Sequence, residues 1–419
     1  MEGKVNNKFS NLPAGWEVKK LKDVFYINEL ALPANTPSDF QFRYIPIEKV
    51  STNHIDFENC EQFEFQDAPG RARRIIRQND ILISGVRPNL KAFAIFKKPD
   101  DKNWICSTGF FVLTAKQPED NLISYYELLS EICGSQFYSL VVGTNYPAIG
   151  DSDIRNIRLI LPSSKEEKTA VANILSKVDK AIASVQNSIA AAERLKKSLM
   201  QNLLTGKMKP DGTFRTPEEF YIDEKFGKVP VGWHWGRLSE IADIIAGQSP
   251  QGEYYNVNGA GKPMLNGPTE FTDKYPVPVQ WTTKITKLCK KGDILFTVRG
   301  SSTGRMNLAD QEYCIGRGLA AIRPKSNNNI SFIYYALLKI SEMILAEAKG
   351  AGTTFPNVSR GELMKKAILI PDTRQNEIIA PIEQLARFSD SKQRSIDKLE
   401  ILKKSLMQNL LTGKIKIQK

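Results

Sequence analysis

Two short basic rows stand ahead of two similar apolar runs. Arg71, Arg73, Arg74 and Arg77 precede Asp80-Ile81-Leu82; Lys284, Lys287, Lys290 and Lys291 precede Asp293-Ile294-Leu295. An offset of 213 carries Arg71, Arg74 and Arg77 onto Lys284, Lys287 and Lys290. Positive charge repeated at matched positions suits phosphate contacts, which orient a protein on a polyanion without reading sequence. A solvated charged face is the plainer reading. The turns that follow differ: Gly85-Val86-Arg87-Pro88-Asn89-Leu90-Lys91 in one place, Val298-Arg299-Gly300-Ser301-Ser302-Thr303-Gly304-Arg305 in the other. Arg, Asn and Ser on such a loop can hydrogen-bond base edges, Arg to guanine and Asn to adenine. Divergence fits two loops that read different short words; drift in a tolerant surface loop is the bland alternative.

Catalytic constellations are poor. There is no Asn-Pro-Pro-Tyr or Asp-Pro-Pro-Tyr of an amino-methyltransferase and no phosphate-binding Gly-Lys-Ser/Thr loop. Pro99-Asp100 with Glu166-Glu167-Lys168 mimics the carboxylates and lysine of a nuclease. The latter three open a long helix, however, where capping accounts for them. His54 and His234 are the two histidines, and the cysteines, at 60, 106, 133, 289 and 314, neither pair at metal-ligand spacing nor cluster with a histidine. No disulfide framework or metal site is expected, and a reducing cytoplasm is the natural setting.

The elements that must position the loops come twice. Leu195-Lys-Lys-Ser-Leu-Met-Gln-Asn-Leu-Leu-Thr-Gly-Lys207 recurs letter for letter as Leu402–Lys414, at an offset of 207. Weaker matches link Pro13-Ala-Gly-Trp16 to Pro230-Val-Gly-Trp233, Tyr146-Pro147 to Phe355-Pro356, and Ile160-Leu-Pro162 to Leu369-Ile-Pro371. Each half therefore reads as a globular part followed by a helix. In the first helix Val171, Leu175, Val178, Ile182, Val185, Ile189, Ala192, Leu199 and Leu203 form an a/d seam, interrupted at Lys196. The second keeps Ile382, Leu385, Ile396, Leu399, Leu406 and Leu410, replaces two seam positions by Ser389 and Lys392, and carries Pro381, which should break or kink its start. A stripe of that length needs a partner, and the other helix, running antiparallel, is the obvious one. Gly413 and the residues after it would then return near the N-terminus.

The chain thus reads as α+β: two pseudo-symmetric mixed α/β globular domains separated by two long antiparallel coiled-coil helices. The segments are 1–162 (first domain), 163–207 (helix), 208–227 (polar linker), 228–371 (second domain) and 372–419 (helix). Strands are expected at Asp80–Ser84, Lys91–Phe96, Phe110–Thr114 and Asp293–Thr297, and helices at Asn121–Cys133 and Ile330–Ala348. The 419 residues carry 58 Lys+Arg against 46 Asp+Glu, a net +12, and 41% are hydrophobic, so general disorder is excluded and acidic partners are favoured. No apolar run approaches the ~18 residues of a membrane span, and no secretory signal is expected.

With these residues in view, the chain closely resembles the specificity subunit of type I restriction–modification enzymes. The Pro-x-Gly-Trp starts, the Asp-Ile-Leu strands, the Leu-Pro and Ile-Pro exits and the helices ending Leu-Leu-Thr-Gly-Lys carry the resemblance, in order, over nearly the whole chain. It implies two target recognition domains that read the halves of a split, asymmetric site in double-stranded DNA, and helices that fix the unread spacer. It also implies docking of two modification subunits, which bind S-adenosylmethionine and methylate adenine, and then of restriction subunits that use ATP and Mg. This chain would hold no cofactor and carry no catalysis. On that reading DNA contacts fall to Arg71, Arg73, Arg74, Arg77, Arg87, Asn89, Lys91, Lys284, Lys287, Lys290, Arg299, Ser301, Ser302 and Arg305. Partner contacts fall to Leu195, Leu199, Leu203, Leu402, Leu406 and Leu410, since identical helix ends look like one docking surface presented twice. A self-contained nuclease or methyltransferase, and a coiled-coil scaffold that never touches DNA, are the competing readings.

Overall fold

A computed structural model describes residues 12–141, 148–326, 328–350, 356–372, 374–415 and 417. The chain divides into two compact units whose boundaries fall inside the long helices: residues 1–186 with 394–419, and residues 187–393. Each unit is a globular part, the start of the helix that leaves it, and the end of the other helix. This departs from the five consecutive segments expected, because helix ends pack on globular parts.

The opening and closing motifs of each globular part are two strands of one ladder. Trp16–Lys20 pairs antiparallel with Arg158–Pro162, Trp16 opposite Pro162. Trp233–Arg237 pairs in the same register with Ala367–Pro371, Trp233 opposite Pro371. Gly15 and Gly232 turn the chain into these strands at φ +86 and +79, where a Cβ would be strained.

Between the ladder strands each unit holds two larger sheets of one topology, and the first unit also pairs Val50–Ser51 with His54–Ile55. In the first unit the order is Phe25–Ile27, Phe110–Ala115, Ile81–Ser84, Phe93–Ile95. In the second it is Ala242–Ala246, Leu319–Pro324, Ile294–Thr297, Met306–Leu308. The other sheet has a parallel pair at its centre in both: Gln41–Ile45 beside Trp104–Ser107, and Lys262–Leu265 beside Tyr313–Ile315. The second unit adds the strand Tyr255–Asn256 at one edge. The Asp that opens each Asp-Ile-Leu run caps a turn: Asp80 and Asp293 Oδ2 accept the N–H of Arg77 and Lys290, both at 2.7 Å.

The long helices span Lys165–Leu203 and Gln375–Leu410. At ~1.5 Å per residue the first is about 58 Å long. Ser164 caps it, its Oγ accepting from Glu167 N–H at 3.3 Å. Lys168 makes a buried ion pair with Asp120 at 2.6 Å, so the nuclease-like triplet serves the helix start. Every seam residue read from the sequence is buried or half-buried. Pairing is antiparallel in each unit. In the first, Lys403 meets Asp179 at 2.6 Å while Val171, Leu175, Leu410 and Leu411 share one core. In the second, Ser389 Oγ donates to Glu193 Oε1 at 2.9 Å while Leu203, Leu204, Ile378 and Ile382 share another.

Three expectations need correction. Of the break or kink expected at Pro381, the break is absent: Pro381 lies in the second turn of a continuous helix, where it leaves the Glu377 carbonyl without its usual donor, and the burial of Ile378, Ile379 and Ile382 outweighs that loss. The helix expected at Asn121–Cys133 is two, Pro118–Leu129 and Glu131–Val141, broken at the extended Ser130. The segment 208–227 is no passive linker. Phe220–Asp223 pairs with Gly227–Pro230 as a hairpin, Phe226 stacks on Trp235 at 4.6 Å, and Lys209 bridges to Glu219 at 2.8 Å. Tyr146, Pro147 and Phe355 lie outside the described residues.

Glu127 is wholly buried, and its Oε1 accepts only a long bond from Ile160 N–H at 3.4 Å. Burial raises its pKa well above the ordinary 4.5, against the opposing effect of that bond. The folded state therefore holds the proton that the unfolded chain releases, and stability present below the unfolded pKa is lost as pH rises toward the folded one. Glu127→Gln should melt at a higher temperature than wild type at pH 7, and the gap should close below about pH 4.5, where the unfolded chain is protonated as well. A gap independent of pH in thermal melts would contradict this.

Candidate nucleic-acid interface

The loops singled out in the sequence leave equivalent strands, Ile81–Ser84 and Ile294–Thr297. Each is bridged by a later segment: Val86 pairs with Ala148, and Arg299 with Asn357. The frame is shared and the geometry within it is not. In the first unit Arg87 and Lys91 hold left-handed backbones, φ 48 and 53, on either side of the 3-10 turn Pro88–Leu90. Non-glycine residues in that region are strained, which presents Arg87, Asn89 and Leu90 outward; all three are exposed. In the second unit Gly300 and Gly304 take the left-handed positions, φ +86 and +93, so the turn carries no such strain. Thr303 is buried and donates its hydroxyl to the Gly300 carbonyl at 2.8 Å, which leaves Ser301 exposed and Ser302 half-buried.

Several expected contact residues are occupied within the fold. Lys91 Nζ donates to the carbonyls of Leu129 and Ser130, capping the C-terminal end of Pro118–Leu129, and burial lowers its pKa. Arg305 donates to the carbonyls of Pro268 and Phe271, at 3.2 and 3.0 Å, which ties one loop to another. Arg299 Nε donates to Asn357 Oδ1 at 3.3 Å. Both arginines remain exposed.

The two basic rows coincide at two positions. Arg77 and Lys290 occupy the same turn, each donating its N–H to the following Asp, and Arg74 and Lys287 lie opposite the equivalent residues Cys106 and Ile315. Their side chains are placed differently. Arg74 sits within the strand Ala72–Ile75 opposite Cys106, half-buried, its Nε buried and without a partner among the described residues. Arg73 lies over Phe65 at 4.5 Å and donates to the Ala72 carbonyl; Arg77 pairs with Glu29 at 3.4 Å. Lys284 lies over Tyr254 at 4.7 Å, whereas Arg71, Lys287 and Lys290 are exposed and make no side-chain hydrogen bond or ion pair among the described residues. Exposure differs at the matched positions because Ala72–Ile75 is longer than its counterpart Leu288–Cys289, so Arg74 lies within the ladder and Lys287 just ahead of it.

The helix leucines also separate. Leu203 and Leu410 are buried in the cores of their own units, 1% and 3% exposed, so they hold the fold and offer nothing outward. Leu199 and Leu406 pack against the same cores. Leu195 and Leu402 are free, 51% and 47% exposed.

Sequence reasoning missed Arg317. It is exposed on Gly316-Arg317-Gly318, ahead of the strand Leu319–Pro324, and Ser249 Oγ accepts its backbone N–H at 3.1 Å. The flanking glycines were its signal. Also missed was the seat of the identical helix ends. Gly206 meets Pro230 and Trp233, and Gly413 meets Pro13 and Trp16. Among the described residues no cluster of His, Cys, Asp and Glu could hold a metal ion, and no helix is long and apolar enough to cross a membrane.

Comparison with known proteins agrees with this doubled plan. The family model described as Type I restriction modification DNA specificity domain matches twice, over residues 13–194 and 230–401. A relative named as the MjaX specificity subunit of a type I restriction enzyme in Methanocaldococcus jannaschii is 29% identical, covering 98% of this chain and 96% of its own. A chain solved in work on complex assembly and conformational transition of the type I R-M system is 28% identical, with a TM-score of 0.59 over 97% of this chain and 100% of that one. The type I restriction–modification S subunit from M. genitalium shares the fold at 17% identity, with a TM-score of 0.58 and 96% coverage of both chains. This chain belongs to the type I restriction–modification DNA specificity family and carries the family's domain twice.

Proposed function

We propose that the chain is the DNA-specificity subunit of a type I restriction–modification complex, in which each globular domain reads one half of a bipartite, asymmetric site in double-stranded DNA. One observation carries this: the two domains share a ladder and the topology of two larger sheets, yet place different side chains on equivalent loops. A shared frame explains a shared class of ligand, and unlike loops explain unlike words. Arg71, Lys287 and Lys290 supply phosphate contacts; Arg87, Asn89, Arg299 and Ser301 face base edges. The long helices hold the readers at a fixed spacing and set the unread spacer.

The helix ends support the docking of two modification subunits. Leu195 and Leu402, Lys197 and Lys404, and Gln201 and Gln408 are exposed and identical, although burial demands nothing of them. Identity at exposed positions fits one partner bound twice. S-adenosylmethionine, ATP and Mg belong to the modification and restriction subunits, as does the chemistry, and the assembly works on DNA in the cytoplasm.

Affinity of the assembled complex for DNA should fall steeply with added salt. Reversing Arg71 and Lys287 to Glu together should weaken binding to every sequence and flatten the salt slope by about 2. Unchanged binding in a salt titration would remove these residues from the interface, and a flat slope in the wild-type complex would favour the scaffold that never touches DNA.

Lys91 and Arg87 should separate by readout. Lys91→Met strands two carbonyls and should destabilise the first unit by roughly 1–3 kcal/mol without changing base preference. Arg87→Ala should leave the melting temperature alone and relax preference in one half-site. The reverse pattern would exchange their roles.

A further inference from the structure

The second domain holds a pair of side-chain amides that its own packing does not require. Asn266 follows the strand Lys262–Leu265, and Gln280 opens the strand Gln280–Thr282. Asn266 Nδ2 donates to Gln280 Oε1 at 2.7 Å. Both side chains are half-buried, and among the described residues neither makes another side-chain hydrogen bond. Whichever way the two amides are turned together, one NH2 group and one carbonyl stay free. Adenine presents the complement on its major-groove edge, an N7 acceptor beside an N6 donor.

The backbone around the pair is stripped of side chains. A Cβ on Gly316 would lie 2.6 Å from Asn266 Oδ1, and one on Gly318 would lie 2.4 Å from the Asn266 carbonyl oxygen. One on Gly247 would lie 2.1 Å from the carbonyl oxygen of Gly316. Gly316-Arg317-Gly318 is therefore pressed against Asn266, and Arg317 is the one side chain it projects. That guanidinium is exposed and has no hydrogen bond or ion pair among the described residues. Lys287 is brought beside the same loop, since its carbonyl accepts from Ile315 N–H at 2.9 Å.

The first domain repeats the frame with other chemistry. There Pro46 directly follows the strand Gln41–Ile45 as Asn266 directly follows its counterpart, and a Cβ on Gly109 would lie 2.3 Å from Cδ1 of the next residue, Ile47. A contact needed only to close the fold has no reason to be aliphatic in one copy and a paired amide in the other.

We infer that Asn266, Gln280 and Arg317 set base identity in the half-site of the second domain, the amide pair accepting an adenine and Arg317 a guanine. This rests on the DNA-reading function proposed above. The test is competition binding by the chain assembled with its modification subunits. The probes are duplexes of the site mapped by adenine methylation in host DNA, altered one base at a time in each half. Arg317→Ala, at an exposed position that leaves the fold intact, and Gln280→Ala should each lower preference at one position of the second half-site by roughly 10- to 100-fold. Preference in the first half-site should be unchanged. Full retention of preference in the second half-site, or an equal loss in both halves, would overturn the assignment. A wild-type complex that discriminates no base in either half would instead defeat the DNA-reading function itself.

Discussion

Each unit closes through a contact that only glycine permits. Gly206 and Gly413 end the identical helix tails at φ +63 and +65, the left-handed turn that terminates a helix. A Cβ on Gly206 would lie 2.4 Å from Pro230 Cγ, and one on Gly413 would lie 2.8 Å from Pro13 Cγ and 2.9 Å from the Trp16 indole. The leucine pairs 203–204 and 410–411 bury beside these seats, and Thr205 and Thr412 each return a hydroxyl to a carbonyl one turn back at 2.7 Å. The buried residues of a helix end seated this way cannot vary without loosening its unit. Packing accounts for their identity in the two tails and leaves the exposed identical residues to a partner.

The same logic governs how the reading loops are held. Asp80 and Asp293 make the same turn but are anchored differently across the sheet. Thr114 donates to Asp80 at 2.7 Å, while Arg323, at the matching strand position, makes a bidentate pair with Asp293 at 2.9 and 2.8 Å. Two chemistries serve one geometry there. In the loops one frame carries two geometries: strained Arg87 and Lys91 in the first domain, left-handed Gly300 and Gly304 in the second.

Much of this was legible in the residues. The Pro-x-Gly-Trp starts and the Leu-Pro and Ile-Pro exits were visible as motifs, and they prove to be partners in one ladder. The a/d seam gave both helices and their pairing, because a 3.5-residue period leaves little else to fit. What the residues hid was tertiary. Pro381 signalled a break, but the apolar residues around it decide. Lys91 and Arg74 looked like free cations, yet one caps a helix and the other lies in a strand, since a basic side chain does not announce whether a carbonyl waits for it. The hairpin after the first helix was masked by Pro210, Asp211, Gly212 and Pro217, which read as punctuation. Leu203 and Leu410 looked like docking residues because identity was visible and the glycine seat was not.

On the proposed function the two readers depend on the length of the helical pair, and changing that length tests the proposal most directly. Four residues inserted after Gln186 and a matching four after Gln393, where the unit boundaries fall inside the two helices, add about 6 Å to each helix. Methylation mapping of DNA modified by the assembled complex should then show both half-sites intact and the spacer between them longer by about one or two base pairs. An unaltered spacer alongside intact half-sites would contradict the claim that the helices measure the distance.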